Sequence, residues 1–312
     1  MRAVLARGFG GVEVLAVAEV PVPAAGPGQV RIRVEAATVN PVDLATRAGA
    51  LTEAGLLPAR DLVGLGWDVA GVVAAVGQGV SGFAAGDRVV GLSDRLDVML
   101  GTHADQAVLD ATAVARAPAG ISAVAAATLP LNGLTAVQAL DRLGLGEGQS
   151  LLVTGAAGAV GGFAVQLAAG RGLRVAAVAG QDDEELVRAM GAEWFVPRSA
   201  PRLGTAVREL VPGGTDGAVD AAVLGAAALD AVRGGGSFAV LVAGGAPAPL
   251  RGTNVFHVWI RADGARLADL VALAETGRLT LRVADTLPLE QAAAAHERVA
   301  KGGLRGRVVL VP

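Results

Sequence analysis

The 312-residue sequence predicts an α/β protein in which a barrel-like, β-rich part is joined to a doubly wound parallel sheet. Three observations carry this expectation. Residues 29–36 alternate strictly between apolar and polar, the period of a half-buried antiparallel strand. From about Ser122 the rhythm changes to strands separated by helix-length apolar patterns, which indicates right-handed βαβ crossovers and a parallel sheet. Finally, Ser150-Leu-Leu-Val-Thr-Gly-Ala-Ala-Gly-Ala-Val-Gly-Gly-Phe reads as a short buried strand, a glycine turn and the start of a helix.

In chain order, Pro21, Pro23, Gly26 and Pro27 form a connecting turn region ahead of the first clear strand. In that strand Val30, Ile32, Val34 and Ala36 share one face, and Arg31, Arg33 and Glu35 the other. Residues 69–77 read as a strand ending in a turn, and Gly86-Asp-Arg-Val-Val-Gly as turn, strand and turn; short strands at this spacing suggest a compact barrel. Residues 132–143 form a helix, and the glycine-turn unit follows it. Further strands are expected over 174–179, 194–196, 217–223 and 237–243, with a helix over 184–190. The tail holds helices over 266–276 and 289–300 and a last strand over 306–311, placed to return to the first domain. The expected division is 1–121, 122–261, and 262–312 rejoining the first part.

Composition narrows the function. A net charge of −3 offers no basic face for nucleic acid, and the cationic residues are all arginine except Lys301. Cysteine is absent, which removes disulfides, thiolate catalysis and cysteine-ligated zinc together. No uninterrupted apolar stretch is long enough to suggest a membrane span, and residues 1–20 lack the basic start and apolar core of a signal peptide. A cytoplasmic enzyme without a membrane partner is the expectation.

The most informative segment is the turn itself. Gly155, Gly158 and Gly161 stand at the spacings of a dinucleotide-binding βα turn, with one residue more between the first two than in GxGxxG. Small residues let the backbone bend sharply and approach a pyrophosphate, and the helix start offers unpaired N–H groups to its charge. Glycine is abundant here, 45 residues in all, so spacing alone is a weak signal. The buried strand before the turn and the apolar face of Val160, Phe163, Ala164, Leu167 and Ala168 after it strengthen the reading. Gly155, Ala156, Ala157, Gly158, Ala159, Val160 and Gly161 are therefore the candidate pyrophosphate cradle.

Read together, several segments make the chain resemble the zinc-free quinone oxidoreductase (ζ-crystallin-like) family of the medium-chain dehydrogenase/reductase superfamily. They are Val34-Glu-Ala-Ala-Thr-Val-Asn-Pro-Val-Asp, Gly66-Trp-Asp-Val-Ala-Gly-Val-Val-Ala-Ala-Val-Gly, Gly86-Asp-Arg-Val, Leu131-Asn-Gly-Leu-Thr-Ala and the glycine turn. The resemblance covers nearly the whole chain. It implies a GroES-like β-barrel-type substrate domain built from both chain ends, a Rossmann domain between, and a cleft separating them.

Zinc-dependent relatives place a cysteine near 38–43 and a His-Glu pair near 67–68, where this chain reads Thr38-Val-Asn-Pro-Val-Asp and Trp67-Asp68. His103, His257 and His296 are far apart in sequence and read as surface or packing residues, so no metal site is expected. Without a Lewis acid, oxidising an alcohol at neutral pH is hard, whereas reducing a polarised C=C needs mainly a held hydride donor and a polarised carbonyl. The implied reaction is hydride transfer from a reduced nicotinamide to a quinone or an α,β-unsaturated carbonyl.

The resemblance places Asn40 at the family's Asn-Pro turn into the cleft, as a hydrogen-bond partner of the acceptor oxygen or the cofactor; it also stands where it can cap the helix begun by Pro41, and the two roles are compatible. Asp43 is a candidate acid or a structural carboxylate, and Ala45 stands where relatives often carry a tyrosine, a residue type this chain lacks altogether. Thr135 falls where the family touches the nicotinamide ribose or phosphates, though an ordinary helix threonine reads the same way. Phe256 and His257 follow the sixth strand and are expected near the nicotinamide.

Cofactor choice turns on Val178-Ala-Gly-Gln-Asp-Asp-Glu-Glu. Gly180 and Gln181 there, Arg198 past the third strand, Ala222 at the end of the fourth, and Val242 and Ala243 at the end of the fifth complete the cofactor contacts the resemblance implies. An acidic strand end favours NAD(H), while Arg198 is a source of charge for a 2′-phosphate; NADP(H) is the expectation, with NAD(H) left open. Two alternatives stand beside quinone or enone reduction: an enoyl-thioester reductase of a polyketide or fatty-acid pathway, and a non-catalytic NAD(P)H-binding protein. A homodimer is also implied, paired through the strand edge near 250–260.

Overall fold

The computed structural model describes every residue of the chain except 243, so the expectation for Ala243 lies outside the described residues. The chain divides into two compact units: Met1–Leu131 with Arg261–Gly277 and Leu281–Pro312, and Asn132–Ile260 with Arg278–Thr280.

The strands of the first unit are β1 (Arg2–Arg7), β2 (Leu15–Glu19), β3 (Gln29–Val39), β4 (Leu62–Gly64), β5 (Asp68–Val76), β6 (Arg88–Leu92), β7 (Gln106–Asp110) and β8 (Val114–Arg116). Those of the second are β9 (Ser150–Thr154), β10 (Arg174–Ala179), β11 (Trp194–Pro197), β12 (Thr215–Asp220), β13 (Val232–Val240) and β14 (Asn254–His257); β15 (Val283–Pro288) and β16 (Arg307–Val311) return to the first.

The spine of the first unit is β3. Its first half has Val30, Ile32 and Val34 buried, as the alternation predicts, and pairs antiparallel with β5 and β7. The alternation then fails: Ala36, Ala37, Thr38 and Val39 are all buried. The register against β5 shifts between Val34 and Ala36, and β16 pairs antiparallel with Ala37, Thr38 and Val39, so both faces and both edges of this end are covered. The last strand thus rejoins the chain's early part, as expected. A separate three-stranded sheet, β2-β1-β4, completes the unit.

The second unit is a six-stranded sheet in the order β11-β10-β9-β12-β13-β14, every pair parallel. That is the doubly wound order whose strand sequence reverses beside β9. Leu152, Ala176, Val178, Val196, Ala218, Phe238 and Val240 form its buried core with the flanking helices.

Three expectations on boundaries change. The first unit runs past 121 to Leu131, because the helix Ala123–Ala126 packs on β3 and β5. Residues 278–280 side with the second unit, where the Thr280 N–H donates to Gln166 Oε1 at 2.8 Å. Phe256 and His257 lie within the sixth strand and not beyond it, paired with Ala239 and Val240. The run Ala123–Leu143 is long and apolar enough by composition to cross a membrane, but 78% of its most apolar window is buried inside the protein.

Candidate functional site

At the end of β3 the first unit holds a buried polar group. Asp43, three residues into the helix Pro41–Ala48, has no exposed surface. One of its carboxylate oxygens accepts the Asn40 N–H at 2.7 Å, and the other accepts the Gly66 N–H at 2.9 Å. Burial pushes its carboxyl above the usual range, and His103 and the two N–H donors oppose that rise. The carboxylate ties a helix start to the loop before β5, which makes it structural. Gly66 takes φ +99°, and a Cβ there would lie 2.4 Å from the His103 nitrogen; only glycine fits.

Asp68 starts β5 and is also fully buried. It accepts the Thr38 N–H at 2.9 Å, the Thr38 hydroxyl at 2.7 and 2.6 Å to its two oxygens, and Asn40 Nδ2 at 3.2 Å. Burial raises its pKa to about 6 against these donors. The half-buried Arg307 lies in the field of both aspartates, which oppose the desolvation that lowers its pKa to about 10. Asn40 Nδ2 also lies 3.0 Å from Thr38 Oγ1. An ionised carboxylate only accepts, so Asp68 fixes the amide with its nitrogen inward. The expectation that Asn40 donates to an acceptor oxygen and that Asp43 acts as an acid gives way to a framework role for both, because their polar atoms are held by protein partners in a buried place.

The same group includes two histidines that the chain order separates widely. His103 Nε2 lies 2.9 Å from the Thr38 carbonyl, so that nitrogen carries the proton. His296 Nδ1 faces Arg47 at 3.3 Å; a guanidinium only donates, which places the His296 proton on Nε2. The rings meet edge-on at 6.3 Å. Burial, His103 and Arg47 together lower the His296 pKa to about 3. Among the described residues no group of three or more His, Cys, Asp or Glu is placed to hold a metal.

A small cavity of about 30 Å³ in this unit is lined in part by Thr46, Leu57, Trp67, Ser93 and Leu96. These residues come from stretches whose sequence carries no periodic signal, and only the tertiary fold brings them together.

In the second unit the predicted cofactor residues converge. The turn 155–161 follows β9, Gly180 and Gln181 follow β10, Arg198 follows β11, Ala222 follows β12 and Val242 lies past β13. All stand at the carboxyl ends of parallel strands, where open α/β sheets bind ligands. The three glycines differ in their reasons. Gly155 takes φ +61°, and a Cβ on it would meet Ala222 at 3.3 Å. A Cβ on Gly161 would lie 2.2 Å from the Gly155 carbonyl oxygen, so its absence lets the helix Ala159–Gly170 seat against the turn. Gly158 caps that helix, and a Cβ on it would come to 3.1 Å of the same oxygen. This cradle of small residues, with Ala156, Ala157, Ala159 and Val160 between, fits a pyrophosphate at a helix start.

Sequence reasoning missed Asp220. Its carboxylate accepts the Thr154 hydroxyl at 2.6 Å, the Leu224 N–H at 3.0 Å and the Gly225 N–H at 2.8 Å, and Thr154 Oγ1 accepts the Ala222 N–H at 3.0 Å. It thereby shapes the turn beside Gly155, where Val223 adopts φ +57° without being glycine. Only its place at a strand end in Gly-Ala-Val-Asp was there to find it. Thr135 is buried within the helix Pro130–Leu143. Phe256 stacks under Arg142 with the guanidinium 4.3 Å from its ring, and Arg142 donates to the His257 carbonyl at 2.6 Å. Both residues therefore serve the edge strand.

Comparison with known proteins follows the same outline. The family described as "Alcohol dehydrogenase GroES-like domain" matches residues 26–119, and the family "Zinc-binding dehydrogenase" matches 190–310. The chain is 31% identical to the quinone oxidoreductase of Homo sapiens over 100% of this chain and 98% of that one. It is 32% identical to 2-methylene-furan-3-one reductase of Solanum lycopersicum over 97% of this chain and 77% of that one. The match to the chloroplast envelope quinone oxidoreductase homolog of Arabidopsis thaliana, at 36% identity, covers 62% of this chain and spans only 59% of that protein's length. The chain is also 34% identical, over 97% of its length and 14% of the relative's, to a spectinabilin polyketide synthase protein of Streptomyces orinoci. Among solved structures, an NAD-dependent alcohol dehydrogenase superposes at TM-score 0.88 with 34% identity over all of both chains. A mycobacterial protein complexed with NADPH superposes at 0.86 with 28% identity, again over all of both.

Proposed function

The chain belongs to the quinone oxidoreductase family of the medium-chain dehydrogenase/reductase superfamily, and from that premise we propose that it reduces quinones or α,β-unsaturated carbonyl compounds with NADP(H), independently of zinc. The observation that carries this reading is the convergence of the glycine turn, Gly180, Arg198 and Ala222 at the carboxyl edge of the parallel sheet. A bound reduced nicotinamide dinucleotide supplies the hydride.

The chain's own residues do the rest. The 155–161 turn holds the pyrophosphate, and Asp220 keeps the neighbouring turn in shape through Thr154 and Gly225. In the first unit Asp68 and Thr38 hold the Asn40 turn rigid. Asn40 and Asp43 act as positioning residues. The chain has no tyrosine, and both buried aspartates are engaged by N–H and O–H donors, so the product takes its proton from solvent. Zinc independence rests on the donor set: the chain has no cysteine, Trp67-Asp68 stands where zinc-dependent relatives carry a His-Glu pair, and the nearby His103 and His296 rings are engaged by the Thr38 carbonyl and Arg47.

Loss of reduced-nicotinamide absorbance with benzoquinone, phenanthrenequinone and unsaturated aldehydes tests the reading. Turnover of at least one acceptor is expected; tight cofactor binding with no turnover of any would leave only a non-catalytic binding protein. The likeness to the polyketide synthase protein supports a second reading, reduction of an enoyl thioester, and an acyl-thioester substrate surpassing every free quinone would favour it. The unpaired edge of β14 further supports a homodimer formed there, measurable by sedimentation.

A further inference from the structure

The sheet run β7-β3-β5-β6-β8 of the first unit does not close on itself: β7 pairs only with β3, and β8 only with β6. Beside the open edge of β7 lies a cavity of about 310 Å³, bounded on the other side by residues 93–95 and 98–100, which form no strand or helix. That is room for about ten waters at the ~30 Å³ each takes in the liquid, and it reaches the size of small-molecule pockets. The bounding residues are held in place. Asp94 accepts the Ala262 N–H at 2.7 Å, Arg60 donates to the Asp97 and Val98 carbonyls at 3.1 and 2.9 Å, and the Gly64 N–H donates to the Met99 carbonyl at 3.0 Å. The cavity is therefore preformed, and Ser93, Arg95 and Val98 divide it from the small cavity beside Trp67.

Its polar character comes from that strand edge. The Ala111 N–H donates to the Gly28 carbonyl at 2.9 Å, and the Asp105 carbonyl accepts the Val34 N–H at 3.0 Å. Antiparallel alternation then turns the backbone groups of Ala107 and Leu109 toward β3, and those of Gln106, Val108 and Asp110 toward the cavity. Among the described residues no second strand takes up this edge. Gln106 Oε1 is buried there with no hydrogen-bond partner, which costs stability unless something donates to it. The charges of the wall are already engaged: Arg95 donates to Asp97 at 3.0 Å and lies 3.6 Å from Asp110, and Asp110 accepts Gln29 Nε2 at 2.9 Å. Leu92, Val98 and Leu109 supply apolar wall. An open row of N–H and C=O groups is what an amide matches by adding to a sheet edge. We propose that this cavity binds a small, neutral, peptide-like carboxamide with an apolar side group, which pairs with the β7 edge and donates to Gln106 Oε1. The site belongs wholly to the first unit, so it stands whether or not the second binds a dinucleotide.

The test follows N-acetyl-L-valinamide, a neutral molecule with two amides and one branched side group, by saturation-transfer NMR on the full chain. Excess NADPH is kept present so that a nucleotide site is not what the probe occupies. A Kd of about 1 mM or tighter is expected, ordinary for so small a ligand. N-acetyl-L-valine, an anion, and L-valinamide, a cation, should each bind at least about fivefold more weakly, because a charge brought into this wall finds no unpaired partner. Gln106→Leu removes the orphan acceptor at similar volume. It should weaken the neutral probe by about fivefold to tenfold, the loss of one hydrogen bond, and melt no lower than wild type. Val108→Trp places a large side chain in the cavity and should abolish binding even if Gln106→Leu fails to fold. Unchanged affinity in both variants, or tighter binding of either charged analogue, overturns the proposal. So does a wild-type chain that binds none of the three, whose cavity then holds water only.

Discussion

Asn40 Nδ2 lies 3.2 Å from Asp68 Oδ2, and both residues are completely buried. The turn at the end of β3 is therefore held by a carboxylate from the start of β5, with Thr38 bonded to both. Asp68→Ala removes the acceptor of the Thr38 N–H and of the Asn40 amide together. We expect a loss of about 2–4 kcal/mol in urea denaturation, the size of a broken buried polar group. Asp68→Asn keeps the volume and should retain most of that stability, yet reduce turnover, because its amide cannot accept from every donor it meets. Equal turnover in Asp68→Asn and wild type would show that the orientation of Asn40 is immaterial.

His296 and Asp68 give stability opposite pH dependences. The His296 pKa falls to about 3 in the folded state, so the unfolded chain binds more protons and stability is lost as pH drops from about 6.5 toward 3. The Asp68 pKa rises to about 6, so the folded state binds more protons and stability is lost as pH rises from about 4 through 6. His296→Gln should therefore gain stability relative to wild type on acidification below pH ~6.5, and Asp68→Asn should lose it below pH ~6, each by up to about 1.4 kcal/mol per pH unit. Parallel unfolding midpoints across this range would refute the assigned protonation states.

Two glycines of one helix should behave differently. Gly161→Ala places a Cβ 2.2 Å from the Gly155 carbonyl oxygen, a backbone atom that cannot swing aside. A cost of about 1–3 kcal/mol and at least tenfold weaker dinucleotide binding are expected. At Gly170 a Cβ meets nothing within 4 Å, so Gly170→Ala should be neutral or stabilising by up to about 1 kcal/mol. Thermal melts with and without NADPH separate the two.

Removing Arg142 should loosen the sheet edge. Arg142→Ala loses both the stacking on Phe256 and the bond to the His257 carbonyl, about 1–2 kcal/mol together. Hydrogen exchange should show β14 opening sooner while β9 stays protected.

Chelation is expected to leave activity untouched. Dialysis against EDTA followed by a quinone reductase assay should recover full turnover, and elemental analysis should find less than stoichiometric zinc. Activity lost to the chelator and restored by zinc would overturn zinc independence.

What the sequence determined by itself was the alternation of β3, the strand–turn–helix at 150–170 and the pattern of βαβ units, because each rests on local periodicity or on a backbone that only glycine permits. The return of the last strand was legible as well, from an apolar run with no neighbour near it in sequence. The absence of cysteine and tyrosine likewise needed no structure to narrow the chemistry. The tertiary structure alone decided what the polar residues do. Asn40 and Asp43 looked available for chemistry beside their turn, but both are fully buried, and Asp68 at the start of β5, Gly66 and Thr38 take up their hydrogen bonds. His103 and His296 lie 193 positions apart in the numbering and become neighbours through packing of the C-terminal helix against the early strands. Asp183 was one of four consecutive acids until burial set it apart, and Asp220 was a strand-end residue until Thr154 of β9 and the 224–225 turn met on its carboxylate. Local pattern records which backbone a segment can adopt; burial and partner choice are sums over distant segments, and no local pattern contains them.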